Sequence, residues 1–150
     1  MGLQGEPPAR QRRYPRTLGE VVTGEHPDAV AYRRTAEAFR SGDFGVVKSL
    51  IAPEVVWHVP GGHPLAGTIE GREALLDWLG TLKGIGFWLV EHDVFASDEH
   101  VCAVSTMGAR RDHFDAQTRV ISIFRYQDGR QVERWFYPDD AAAWNAIFAA

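Results

Sequence analysis

Cysteine is almost missing from this chain. Cys102 is the single one among 150 residues, so no internal disulfide can staple the fold. It lies in the apolar run Val101-Cys102-Ala103-Val104, where an inert buried thiol is the expected reading. Long hydrophobic runs are missing too: none approaches the roughly 20 residues that a membrane helix requires. The amino terminus lacks the apolar stretch of a secretory signal, so the expectation is a cytoplasmic protein with no membrane partner. Nor is there an excess of positive charge. The formal net charge is −4, which argues against the basic face a nucleic-acid binder needs. No helical His-x-x-x-His pair, zinc-spaced cluster, glycine-rich phosphate loop or nucleophile elbow occurs. Neither a metal nor an organic cofactor is therefore expected.

What is present suits one domain. The residues are 45% hydrophobic and 24% charged, a balance that supports a sizeable core without staples. Five tryptophans are many for a chain of this size, and they need a large core or a pocket to line. Residues 1–27 stand apart. Pro7, Pro8 and Pro15 interrupt them, four arginines charge them, and little is available to bury before Leu18, Val21 and Val22. This segment reads as a mostly disordered arm, with the domain spanning 28–150.

Within the domain, Tyr32, Ala36 and Phe39 recur at helical spacing through Asp28–Arg40. Gly42 suits a helix C-terminal cap and Asp43 the N-cap of a second helix bearing Phe44, Val47 and Leu50. Pro53 marks its end. A short strand, Val55-Val56-Trp57-His58-Val59, stops at Pro60-Gly61-Gly62. After a loop, Leu75, Leu76, Leu79 and Leu82 form the stripe of a third helix over 72–82. Four strands follow, over 87–95, 100–110, 118–126 and 131–137. Asp128-Gly129 joins the last two, because a type I′ turn needs positive φ at both central positions. A final helix over 141–148 carries Trp144 and Phe148. Helices followed by an antiparallel meander give the α+β class.

This order of elements resembles the nuclear transport factor 2-like superfamily. The stretch from Asp128-Gly129 through Glu133-Arg134-Trp135-Phe136-Tyr137-Pro138-Asp139 is similar to its SnoaL-like polyketide cyclase branch, which is related to ketosteroid isomerase. The resemblance implies a cone-shaped curved antiparallel sheet wrapped around three N-terminal helices, with a short C-terminal helix. It also implies a pocket for an apolar or polycyclic small molecule, and a homodimer formed through the sheet. It does not imply one reaction, since relatives include isomerases, cyclases, dehydratases, epoxide hydrolases and binding domains. Ketosteroid isomerase has a catalytic Tyr where this chain has Thr35, a carboxylate base near His58 or Val59, and a protonated Asp at Ser122. None of the three is retained, and the arginine-bracketed aspartates of limonene-type epoxide hydrolases are not evident. The acid/base Asp of SnoaL-like cyclases matches Asp139.

Counting outward from a two-residue turn at Asp128-Gly129 pairs Phe124 with Glu133, Ser122 with Trp135 and Val120 with Tyr137. Ser122, Phe124, Trp135, Tyr137 and Asp139 then share one face, which mixes aromatics with polar groups as ligand sites do. Ile121, Ile123 and Phe136 share the other. The reverse assignment of faces is the alternative. Asp139 and His58 are the expected acid/base pair, with Trp57, His63, Ser122, Phe124, Trp135 and Tyr137 around the substrate. His58 can equally be a strand histidine bonded to backbone, His63 a solvated loop residue, and Asp139 part of a helix cap. The function expected is acid/base catalysis on a small molecule without a cofactor: cyclisation, isomerisation, dehydration or epoxide opening. The alternative is a domain of the same fold that binds or dimerises without turnover.

Overall fold

The computed structural model describes residues 25–149, so the proposed arm lies, up to residue 24, outside the described residues. Helix α1 (Pro27–Ser41) starts where Pro27 occupies the first turn and His26 accepts from the Asp28 N–H. It ends at Gly42, whose φ of 72° lets its N–H return to the carbonyls of Ala38 and Phe39. Asp43 then caps α2 (Phe44–Leu50) by accepting from the Val46 N–H at 3.1 Å.

The chain turns at once into β1 (Ile51–Val59), so Pro53 lies inside a strand and the helix ends before it. A strand read as loop follows, β2 (Gly67–Glu70), and then α3 (Arg72–Thr81) with a 3₁₀ turn over Leu82–Ile85. The long strands are β3 (Phe87–Ala96), β4 (Val101–Arg111), β5 (Phe114–Gln127) and β6 (Arg130–Pro138), before α4 (Ala141–Phe148).

One curved, open six-stranded sheet results, in the order β2-β1-β6-β5-β4-β3. It is antiparallel except where β1 runs parallel to β6, a pairing that the expected all-antiparallel sheet did not contain. Asp128 and Gly129 have φ of 52° and 76°, and Gln127 pairs with Arg130 as the turn requires.

Two residues from that turn the register slips. Tyr126 faces Gln131 but Arg125 faces Glu133, so Val132 is an extra residue, a β-bulge. Beyond it Phe124 faces Arg134, Ile123 faces Trp135, Ser122 faces Phe136 and Ile121 faces Tyr137. The expected faces of β6 are therefore exchanged. Trp135 and Tyr137 leave the face of Ser122 and Phe124, and Arg134 and Phe136 join it.

The helices pack on this second face. Trp57, Leu75, Met107, Val120, Phe136, Trp144 and Phe148 form one buried cluster; Ala29, Tyr32, Val94, Val101, Ala103 and Phe124 form another under α1. Helix α4 is held on the sheet by side chains as well as by its apolar stripe. The Trp144 indole donates to the Pro60 carbonyl at 2.8 Å, and the Arg111 guanidinium donates to the carbonyls of Ile85, Ala146 and Ile147. A cation at the C-terminal turn also opposes the helix dipole.

Candidate active site

Between the two clusters the inner face of the sheet leaves a cavity of about 390 Å³, within the range of small-molecule sites. Trp57, Trp78, Phe124, Phe136, Phe148 and Met107 are among the residues of its apolar wall. Its polar groups are Tyr32 and Thr35 of α1, Glu91 of β3, and Gln131 and Arg134 of β6, with Arg40 and Lys83 also on the lining.

Arg134 is the unusual member. Its guanidinium carbon lies 4.5, 4.6 and 4.0 Å from the ring centroids of Trp57, Phe124 and Phe136. Nη2 donates to Ser122 Oγ at 2.9 Å, while Nε is buried with no partner. No carboxylate among the described residues is in ion-pair contact with it. Three ring faces offset part of the desolvation cost, since each attracts a cation. Burial nevertheless pushes the guanidinium down to about 10, with Tyr32 and Tyr126 acting in the opposite direction. At neutral pH it remains a cation.

Around it the phenols stay protonated. Burial pushes Tyr32 up, partly offset by Arg134 and reinforced by Glu91; burial also raises Tyr126, against Thr35, Gln131 and Arg134. Glu91 accepts from Arg33 Nη1 at 3.3 Å. The strand places Glu91 inward opposite Ser105, and a bulge at His92 turns Asp93 outward immediately afterwards. Gln131 accepts from the Trp57 indole at 2.6 Å and donates to the Tyr126 hydroxyl at 3.3 Å.

Of the residues expected at the site, Trp57 and Phe124 line the cavity and Ser122 lies beneath it, bonded to Arg134. The others do not line it. His58 and Trp135 stack on the outer face with rings 5.4 Å apart, and His58 Nε2 meets Glu133 at 2.8 Å. Tyr137 is also outside and 53% exposed. The Val132 bulge is the physical reason for both aromatic displacements. His63 is buried but spent on its loop: Nδ1 accepts from the Leu65 N–H, which leaves Nε2 to donate to the Pro60 carbonyl. Burial lowers its pKa, against the bond to Pro60.

Asp139 is exposed beyond β6, where Oδ1 accepts from the Thr118 hydroxyl at 2.6 Å and the Arg119 N–H at 3.2 Å. Asp140, not Asp139, caps α4 by accepting from Ala143. Arg134, Gln131, Glu91 and Tyr32 were missed as site residues. The signal available was parity with Phe136 for Arg134 and the helical stripe for Tyr32.

With this geometry in view, the SnoaL-like domain profile matches residues 32–134. Three solved structures illustrate the likeness. Bal32a, from a soil-derived mobile gene cassette, is 28% identical over 81% of this chain and 96% of its own, with a TM-score of 0.76. TerC, co-crystallised with polyporic acid, is 20% identical over 81% and 98%, with a TM-score of 0.70. IdmH of Streptomyces antibioticus, a candidate polyketide cyclase, is 22% identical over 79% and 98%, with a TM-score of 0.63. The curated proteins compared contain no match. Among the described residues no helix is long and apolar enough to cross a membrane, and no group of three His, Cys, Asp or Glu could hold a metal ion.

Proposed function

The chain belongs to the SnoaL-like domain family, and from that premise we propose that it performs acid/base chemistry on an apolar, oxygen-bearing small molecule held in the Arg134 cavity. The observation that carries this reading is the cation itself. Arg134 lies among three aromatic rings with no carboxylate partner among the described residues. A buried charge left unpaired costs stability, and an anionic or enolic oxygen of a ligand is the partner that would repay it.

Arg134 would hold negative charge as it develops on that oxygen, in a site where low dielectric strengthens the interaction. Glu91, the carboxylate on the cavity wall, would accept or return the proton, replacing Asp139 and His58 in that role because neither lines the cavity. The aromatic wall would orient a flat ring system. That a fold relative was crystallised with polyporic acid supports the choice of an acidic ligand class. Cyclisation and isomerisation both fit, since each passes through an enolate.

The test is titration of polyporic acid into the protein, read by tryptophan fluorescence, for the wild type and Arg134→Met. Saturable quenching in the wild type and a loss of roughly 30-fold or more in affinity in Arg134→Met are expected, the usual scale for removing one partner of a buried charge pair. Equal affinity in both proteins would overturn the reading. If binding is retained in Glu91→Gln but turnover of a substrate is lost, Glu91 carries the proton; unchanged turnover would remove Glu91 from that role, and ligand binding without turnover in the wild type would leave a binding domain.

A further inference from the structure

The hydrogen bonds behind the cavity have a fixed direction. An indole N–H can only donate, so the 2.6 Å contact from Trp57 Nε1 identifies the near atom of the Gln131 amide as its oxygen. The amide nitrogen must then lie on the other side, where it donates to the Tyr126 hydroxyl at 3.3 Å. Thr35 spends its own proton on the Ala31 carbonyl at 2.8 Å. Gln131 is almost fully buried yet lines the cavity, and one N–H of its amide has no protein acceptor. Arg134, which meets the same Trp57 ring, has donors only and gives just one of them to Ser122. The Gln131–Arg134 end of the cavity thus offers more N–H donors than open acceptors, and Trp57 already holds the Gln131 oxygen.

We propose that Gln131 is a specificity-determining residue. Locked by Trp57, it makes this end of the cavity donor-rich and selects ligands that end in a bare acceptor oxygen (ketone, quinone, enolate or carboxylate) over hydroxyl-ended molecules of the same shape. A hydroxyl there could accept, but its own proton would have to share the Gln131 oxygen with the Trp57 indole, and a poorly satisfied buried donor typically costs about tenfold in affinity. The proposal rests on the reading that the Arg134 cavity is the ligand site.

A neutral matched pair tests it: 2-acetylnaphthalene against 1-(2-naphthyl)ethanol, with dissociation constants read by tryptophan quenching. The wild type should prefer the ketone by about tenfold. Gln131→Met, which adds no charge, should shrink that ratio several-fold. Gln131→Glu still accepts from Trp57 but lacks the N–H and adds a competing carboxylate, so the preference should vanish or invert. If Gln131→Glu fails to fold, the Met variant decides. A ratio that stays at the wild-type value in folded variants overturns the role of Gln131 and leaves the cavity reading intact. Failure of the wild type to bind either compound or polyporic acid overturns the cavity reading, and this proposal with it.

Discussion

A guanidinium wedged among three aromatic rings is a poor investment for stability alone, which makes Arg134 the residue to perturb. Its displacement from the usual guanidinium range down to about 10 corresponds to a burial cost on the order of 3 kcal/mol. Arg134→Met should therefore be more stable at neutral pH by about 1–3 kcal/mol, as buried ionic groups replaced by apolar ones often are, while losing the acidic ligand. The pH dependence has a definite sign. Below about pH 10 both folded and unfolded chains hold the proton, so the cost is present in full. Above about 10, up to the usual guanidinium range, the unfolded chain holds more protons, so this group's contribution to stability rises with pH. Chemical denaturation of both proteins should show a stability gap that is constant from pH 6 to 9 and narrows above 10; affinity for an anion should fall over the same upper range. Asp139 gives the opposite contrast. Asp139→Asn removes an exposed carboxylate bonded to Thr118 and Arg119, and a cost of about 1 kcal/mol with unchanged ligand affinity is expected. A loss of binding in that variant would return Asp139 to the site.

At the scale of elements, one inserted residue controls which side chains the cavity receives. Side chains on a strand alternate, so a one-residue slip moves every later residue to the other face. Deleting Val132 would remove the unpaired residue and keep every pair on either side of it, so Gln131, Arg134 and Phe136 should stay inward and Trp135 and Tyr137 outward. The Trp57–Gln131 bond and the Phe136–Trp144 packing, with rings 5.5 Å apart, would be retained. We expect a destabilisation of about 1 kcal/mol and quenching by polyporic acid as in the wild type, measured by urea unfolding and titration. A deletion variant that folds but no longer binds would show that the bulge itself shapes the cavity.

For the whole molecule, the outer face of the sheet carries the consequence of the same slip. The register aligns Phe95, Cys102, Ile123, Trp135 and His58 in one row across five strands, and Val104, Ile121 and Tyr137 in the next. Phe95 is 55% exposed and the others are partly so, which makes the face more apolar than a solvated sheet surface usually is. We propose that it pairs with a second copy of the chain, with Trp135 and Tyr137 where the sequence reading had put Phe136. Sedimentation at micromolar concentration should give a dimer, and Ile123→Lys a monomer with its cavity intact. A wild-type monomer would reject this assembly.

The α+β class, the capped helices at Gly42 and Asp43 and the Asp128-Gly129 turn were all legible in the residues, because each depends on contacts within a few positions of the chain. Phe124 could be placed on the face of Ser122 for a similar reason, since alternation along a strand is local. Three features could not be read in this way. The parallel pairing of β1 with β6 joins residues more than 70 positions apart. The bulge at Val132 has no residue signature of its own, yet it decides whether Arg134 or Trp135 faces the cavity. The donor-rich end of the cavity exists only where Trp57 of β1 meets Gln131 and Tyr126 of the β5–β6 hairpin. Short-range stereochemistry is written in the sequence order, whereas register and hydrogen-bond direction are properties of the closed sheet, where a shift of one residue exchanges its two faces.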